Sequence, residues 1–318
     1  MEISCANVND GLVQGLSYLI EQGVSEPSRN GAVLVAPEPV LITYRKPWER
    51  VLFSPMRDAN PFFHLFESLW MLAGRNDLAF PVVFNKRFKE YSDDGAVING
   101  AYGFRWREHF NTDQLAEAAA MLAKDPSTRR VVVGMWDPSE DLGSPSKDIP
   151  CNTHIYFDVR GGTLNMTVCN RSNDVLWGTF GANAVHMSIL QEYMATLVGL
   201  PMGPYRQFTN NLHLYTDILP VSRAKEMIVD VLINNHYEGI NALSRIPLMS
   251  VEPHLWHNDL NNFLGPGWAF QDYSDKFFMS VAAPMRVVWE TRNPETIAFI
   301  SDQAWRIACR DWLDRRNK

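Results

Sequence analysis

Residues 148–186 read DIPCNTHIYFDVRGGTLNMTVCNRSNDVLWGTFGANAVH, and this stretch decides the fold. Two alternating runs flank Arg160-Gly161-Gly162. Ile155, Phe157 and Val159 share one face, and Leu164, Met166 and Val168 share one after the turn. Period-two alternation around a glycine pair predicts a β-hairpin. The second strand delivers Asn170-Arg171-Ser172-Asn173-Asp174, a polar cluster too dense to end a buried strand without a partner. Gly178 and Gly181 then break the chain before a predicted helix with Val185, Ile189, Leu190, Tyr193 and Leu197 at its apolar positions. The thiol of Cys151, a guanidinium, a hydroxyl and a carboxylate are therefore expected on a rigid sheet and on the loop entering a helix, where a site holds its geometry best.

Outward from this core, apolar spacing predicts helices over residues 8–22, 61–72, 114–123, 222–234 and about 296–314. Pro61 opens the second of these. Residues 25–30 read as a polar loop. Residues 33–44 read as strand interrupted by Pro37 and Pro39, which suits a sheet edge. A polar, mobile segment is expected over 85–100, a buried strand over 130–136, a loop over 137–150, and a short strand over 287–289. Mixed helices and antiparallel hairpins argue for an α+β fold in one domain spanning residues 1–318.

The chain has 318 residues, enough for a sizeable core, with 46% hydrophobic and 20% charged residues. A net charge of −7 disfavours non-specific nucleic-acid binding, though not a local basic site for one phosphate. Cys5, Cys151, Cys169 and Cys309 show neither metal nor disulfide spacing, so no metal is expected. Cys5, Cys169 and Cys309 read as structural. An unpaired Cys151 suits a reducing cytosol, and no apolar run is long enough to span a membrane. A soluble cytoplasmic protein is expected.

Several motifs occur in order: Ser28-Arg29-Asn30-Gly31, Glu67-Ser68-Leu69-Trp70, Gly100-Ala101-Tyr102-Gly103, Arg129-Arg130, Pro150-Cys151, Asn170-Arg171-Ser172-x-Asp174, Gly178 and His213-x-Tyr215. Together they resemble the active-site signature of thymidylate synthases and the related pyrimidine-nucleotide hydroxymethylases. The resemblance covers roughly residues 10–220, and residues 221–318 diverge. It implies a mixed sheet packed by helices, with one sheet face used for homodimerisation. It also implies a pyrimidine nucleotide substrate and 5,10-methylenetetrahydrofolate as one-carbon donor.

Position 5 of a pyrimidine is too weak a nucleophile to attack such a donor until a soft nucleophile adds at C6. Cys151 is the candidate, with Arg171 available to favour its thiolate. Guanidinium forks suit the phosphate. The resemblance assigns that role to Arg29, Arg129, Arg130 and Arg171, the middle pair reaching across from a partner subunit, with Ser172 assisting. His213 and Tyr215 are implied at the sugar 3′-hydroxyl. Glu67, a carboxylate in an apolar helical pattern, is implied as general acid/base. Tyr102 is implied in loss of the C5 proton, and Asp174 in bonding the folate pterin. Trp70 and, more weakly, Arg57 are implied at the cofactor.

Departures from the family bear on the subtype. Asn152 follows the cysteine where synthases have histidine. A gap-free match puts Ala182 where they carry the asparagine that reads uracil; Asn183 is next door, and whether it substitutes is open from sequence. Val185 replaces a serine. Losing that amide removes discrimination worth about 1–3 kcal/mol. Ala182 also resembles the cytidylate hydroxymethylases of nucleoside-antibiotic pathways. The first expectation is therefore hydroxymethylation of CMP or dCMP. The alternatives are a dUMP hydroxymethylase of the kind found in phages with modified DNA, a thymidylate synthase, and a non-enzymatic nucleotide- or RNA-binding relative. The polar end Asp311–Lys318, Asp148 in place of leucine, and Asn85 or Phe88 where synthases carry an indole all favour water over hydride at the last step.

Overall fold

The computed structural model describes residues 1–239 and 241–316. Ile240 lies outside the described residues, as do Asn317 and Lys318, the last residues of the polar C-terminal end. The chain forms two compact units, each made of three stretches.

Unit 1 comprises Met1–Ala59, Ala116–Trp136 and Cys151–Glu238. Its strands are β1 (Glu2–Cys5), β2 (Val24–Ser28), β3 (Gly31–Val35), β4 (Val40–Tyr44), β5 (Val132–Gly134), β6 (Asn152–Arg160), β7 (Thr163–Asn170), β8 (Asn173–Asp174), β9 (Met202–Thr209) and β10 (Leu212–Tyr215). They form a six-stranded sheet, β1-β4-β9-β7-β6-β5, and a four-stranded one, β2-β3-β10-β8. The larger sheet is mixed, with β1 parallel to β4 and β7 parallel to β9.

The hairpin is present as β6 and β7, with Ile155 facing Val168 and Phe157 facing Met166. Its turn uses Gly161 and Gly162 at φ 60° and 76°, a conformation that a side chain resists. Ile155, Phe157, Leu164, Met166 and Val168 are buried, each such side chain contributing about 1.5–3 kcal/mol. The helix Asn183–Leu197 covers this inner face, where Gln191 Nε2 donates to the carbonyls of Leu164 (2.9 Å) and Gly203 (3.0 Å). The outer face runs through Val132, Tyr156, Thr167 and Arg206 in one register row, and through His154, Cys169 and Phe208 in the next. Tyr156 and Phe208 are exposed there, at 43% and 42%. Cys169 is half-buried on this face rather than in the core, unlike Cys5 and Cys309.

Unit 2 comprises Asn60–Leu115, Asp137–Pro150 and the C-terminal stretch from Gly239. It is mainly helical. Its centre is the helix Pro61–Leu72, capped by the Asn60 side chain and buried at every position except Glu67. Trp312 of the last helix, Gln303–Arg316, meets Phe62 (5.3 Å between centroids) and Trp289 (5.5 Å), with Arg316 stacked on it at 3.7 Å.

Some elements differ from expectation. Residues 33–44 split into β3 and β4, in different sheets and each with neighbours on both sides. The polar stretch 24–28 is a strand because β3 supplies its ladder. β5 is a three-residue edge strand whose Val132 is exposed, not a buried one. The polar segment after Phe84 contains a 3-10 helix, Lys86–Tyr91, and the loop 137–150 opens with a helical turn, Pro138–Asp141. Val287–Trp289 lies within the helix Ala283–Thr291, started by Pro284; packing of Met285 and Val288 overrides the β-branched run.

Candidate active site

Each unit contributes candidate residues, and each set is built by its own unit. In unit 1, Cys151 is a half-buried cysteine, in no disulfide, one residue before β6. Its carbonyl accepts from the Arg171 N–H (2.9 Å), so the ends of the hairpin hold these two residues side by side. Beside them, Asn170 Nδ2 donates to Asn152 Oδ1, and Thr209 Oγ1 donates to Asn170 Oδ1 (3.4 Å). Asn152 is fully buried, so the residue replacing histidine is part of a hydrogen-bonded amide pair. Arg171 is exposed, its guanidinium 5.9 Å from the Trp136 ring centre. Ser172, the next residue, is half-buried.

Arg29 sits in the two-residue turn between β2 and β3, where Ser28 pairs with Gly31. Arg129 and Arg130 precede the edge strand β5. All three are exposed and pair with no described carboxylate, which leaves their forks available to an anion.

Asp174 caps the kinked π-helical segment Val175–Ala182, its Oδ1 accepting from the N–H groups of Leu176 (2.8 Å) and Trp177 (2.6 Å). Its other oxygen, Oδ2, is buried and accepts from no described residue. Burial raises the pKa of this carboxyl, while the capping N–H groups, His213 and Arg57 pull it down. A buried acceptor without a donor is costly, and the ring N–H groups of a pterin would satisfy it. His213, its register partner on β10, is buried with Nδ1 2.9 Å from Asn211 Oδ1, and its ring meets Tyr215 edge-on at 5.0 Å. Arg57 donates from Nε to the Leu176 carbonyl (3.0 Å) and thus braces the π-helical segment.

Ala182 and Asn183 end that segment and begin the next helix, both half-buried. Asn183 Nδ2 donates to Asn173 Oδ1 (3.2 Å), Asn173 Nδ2 to Gln207 Oε1 (2.7 Å), and Gln207 Nε2 to the Thr179 carbonyl (3.2 Å). Sequence reasoning missed Asn173 and Gln207. The available signal was an amide at an inward position of β9, between the buried Tyr205 and Thr209.

In unit 2, Glu67 is the half-buried residue of an otherwise buried helix. Tyr102 opens the short helix Tyr102–Arg107, pressed against Pro61–Leu72. A Cβ on Gly103 would lie 2.0 Å from the Met71 carbonyl oxygen, so glycine is required there. Asp148 Oδ2 accepts from the Gly100 N–H (2.8 Å). Burial raises its pKa, opposed by that N–H, and the Glu67 charge raises it further. Trp70 corrects an expectation: it is 1% exposed and donates its indole N–H to the Asp77 carbonyl (3.1 Å), so it is core rather than a cofactor-facing surface. Phe88 packs edge-on against it at 6.0 Å. His109, Asp137 and Glu140 lie close enough to hold a metal, but the His109–Asp137 hydrogen bond (3.0 Å) and the exposure of Glu140 account for the grouping without one. No helix among the described residues is long and apolar enough to cross a membrane.

Comparison with known proteins adds a second line of evidence. The thymidylate synthase family model matches residues 56–274. A deoxyuridylate hydroxymethyltransferase of Pseudomonas phage M6 is 43% identical over 330 residues, covering 99% of this chain and 94% of its own. One of Bacillus phage SP01 is 40% identical over 213 residues, covering 64% of this chain and 55% of its own. A thymidylate synthase of Symbiobacterium thermophilum is 32% identical over 173 residues, covering 48% and 58%. The chain belongs to the thymidylate synthase family and is a folate-dependent transferase of one-carbon units to C5 of a pyrimidine.

Proposed function

We propose that this chain is a deoxyuridylate 5-hydroxymethyltransferase. The observation that carries the reading is its 43% identity, across 94% of that protein's length, with a phage enzyme of this name. The expectation of CMP or dCMP rested on Ala182 occupying the base-reading position. It gives way to dUMP because an amide is present one residue on, at Asn183, ordered by hydrogen bonds of its own.

In this reading the Cys151 thiolate adds to C6 of the uracil ring, and the electron pair moves to C5. Methylenetetrahydrofolate supplies carbon at the formaldehyde level. Arg29, Arg171 and Ser172, with Arg129 and Arg130 of a second copy, hold the phosphate; His213 and Tyr215 hold the sugar. Asp174 accepts from the pterin through the oxygen its cap leaves unused. Glu67 handles protons at the 4-position, and Tyr102 assists loss of the C5 proton. C5 bonds to the one-carbon unit. Loss of the C5 proton, with cleavage of the carbon–nitrogen bond, releases tetrahydrofolate unoxidised and leaves an exocyclic methylene. Water adds to the methylene, and the sulfur then leaves C6. Asp148, whose burial favours its neutral form, is the group we assign to positioning that water.

A homodimer fits the exposed outer face of the large sheet, where Val132, Tyr156 and Phe208 leave apolar area uncovered. Mixing Cys151→Ser with the double variant Arg129→Ala/Arg130→Ala tests shared sites. Activity restored in the mixture supports them; two inactive homodimers with no restoration argue against. The reaction itself is tested by supplying dUMP, dCMP and CMP with the folate donor and weighing the products. A hydroxymethyl addition to dUMP is expected; a methyl addition, or reaction of cytidylates alone, would overturn the proposal.

A further inference from the structure

In unit 2, residues 92–100 are strapped to residues 144–150. Ser146 Oγ donates to Asp93 Oδ2 (2.6 Å), and the Lys147 N–H to Asp93 Oδ1 (3.1 Å). Lys147 Nζ donates to the Ser92 carbonyl (3.1 Å). Asn99 Nδ2 donates to the Asp148 carbonyl (3.2 Å), and the Gly100 N–H to Asp148 Oδ2 (2.8 Å). The strap is folded on its own side chains. Ser92 Oγ donates to the Val97 carbonyl (2.6 Å), and Asp94 Oδ1 accepts from the N–H groups of Ala96 (2.8 Å) and Val97 (3.1 Å). The buried Arg105 holds the Asn99 carbonyl from Nε (3.3 Å) and Nη2 (3.2 Å). A stretch whose composition suggests mobility is thus a fixed frame. Its last two residues grip Asp148 at both backbone and carboxyl.

The grip leaves one atom over: Asp148 Oδ1 accepts from no described residue. Burial and the Glu67 charge favour the neutral form of this carboxyl, against the pull of the Gly100 N–H and Arg105. Because Oδ2 accepts from Gly100, the proton of the neutral form sits on Oδ1, which becomes an O–H donor. A Cβ on residue 100 would lie 2.9 Å from Asp148 Oδ2 and 3.1 Å from the Pro150 nitrogen, so glycine lets that N–H come close. We infer that the strap makes Asp148 a fixed hydrogen-bond donor to the water that captures the exocyclic methylene, and that this donor directs the reaction to the hydroxymethyl product. The water oxygen accepts from Oδ1 and bonds to the methylene carbon. The pair of the methylene double bond moves to the C4 oxygen of the ring, and the water proton passes to the Glu67 carboxylate. The pair then returns to form the C5–C6 double bond as the sulfur leaves as thiolate. An apolar side chain at 148 would hold no such water, leaving the carbon to hydride from the folate. Asp148 is the specificity-determining residue for the product, and Asp93 and Asn99 are positioning residues. The inference rests on the reading of the chain as a hydroxymethyltransferase.

The test supplies dUMP, methylenetetrahydrofolate and a small thiol, 2-mercaptoethanol, which competes for the same electrophilic carbon. It measures the shares of hydroxymethyl, methyl and thioether product. The wild type should give the hydroxymethyl product. Asp148→Asn keeps an N–H donor where the Oδ1 proton was and should keep that share. Asp148→Leu has no donor, and its ratio of hydroxymethyl to the other products should fall on the order of tenfold to a hundredfold. The double variant Asp93→Ala/Asn99→Ala should lower the ratio by less. Shares count only the product formed, so a purely structural role would lower the total and leave them unchanged. Unchanged shares in Asp148→Leu or in the double variant overturn this inference alone, as does an asparagine variant as impaired as the leucine one. A wild type that makes only thymidylate and dihydrofolate overturns the functional reading and the inference together. The double variant stands as the test if Asp148→Leu forms no product.

Discussion

The surroundings of Cys151 and the interior of unit 2 bury polar groups in contrasting ways, although unit 1 also holds a buried ion pair, Arg50 with Glu192. Beside Cys151 in unit 1 the buried groups are neutral amides, Asn152 with Asn170 and Asn173 with Gln207. In unit 2 they are charged. Arg105 and Asp141, both fully buried, form a two-pronged pair at 2.6 and 2.9 Å. Asp275 accepts from the N–H groups of Ser250 (2.6 Å) and Val251 (3.1 Å), and Asp302 from that of Ile246 (3.1 Å), tying the irregular stretch after residue 240 to the helices. A charged pair fixes where an element sits. A chain of amides fixes which atom of the last amide faces outward, without adding charge. The first arrangement serves stability, and the second serves recognition.

The largest expected effect would come from breaking the charged arrangement. Asp141→Ala removes the carboxylate from a buried guanidinium and should cost about 3–5 kcal/mol of stability. It should leave the surviving enzyme's ratio of kcat/KM for dUMP to that for dCMP unchanged. Thermal melts and the two rates check this; a changed ratio would erase the contrast. Gly178→Ala strikes the amide arrangement, displacing Asn173 at a cost of about 1–3 kcal/mol. Here the ratio should fall along with the melting temperature, and a preserved ratio would count against the chain of amides.

Asp174→Asn sharpens the contrast with the smallest effect on stability. Asparagine still caps Leu176 and Trp177, while the buried charge is gone. Burial raises the Asp174 pKa in the folded chain. Its stabilising contribution is therefore present below the ordinary value of about 3.9 and is lost as pH rises through the raised folded value. The variant escapes that loss, so urea unfolding between about pH 4 and pH 8 should show it gaining on the wild type as pH rises. Turnover should fall. A variant that loses ground at neutral pH would mean that the charge is compensated in the fold.

Much of this was legible in the sequence because it is periodic. The β6–β7 hairpin follows from alternation about Gly161-Gly162, and the helices Val8–Gln22 and Pro61–Leu72 follow from 3.6-residue spacing behind Asn7 and Asn60. The structure places Cys151, Arg171, Ser172 and Asp174 in unit 1 and Glu67 and Tyr102 in unit 2, and it buries Trp70. The π-helical segment was not legible: a stretch with non-helical Phe180 and Gly181 has no period. Counting residues through it singled out Ala182 and pointed to cytosine. The chain of amides that ends at Asn183 joins β8, β9 and a helix start. No local pattern announces it, because its members are far apart in sequence.

The most direct test supplies dUMP and methylenetetrahydrofolate in water enriched in heavy oxygen, and follows both products. The expected result is 5-hydroxymethyl-dUMP carrying solvent oxygen, with tetrahydrofolate formed in equal amount and no dihydrofolate. Thymidylate appearing together with dihydrofolate would contradict it.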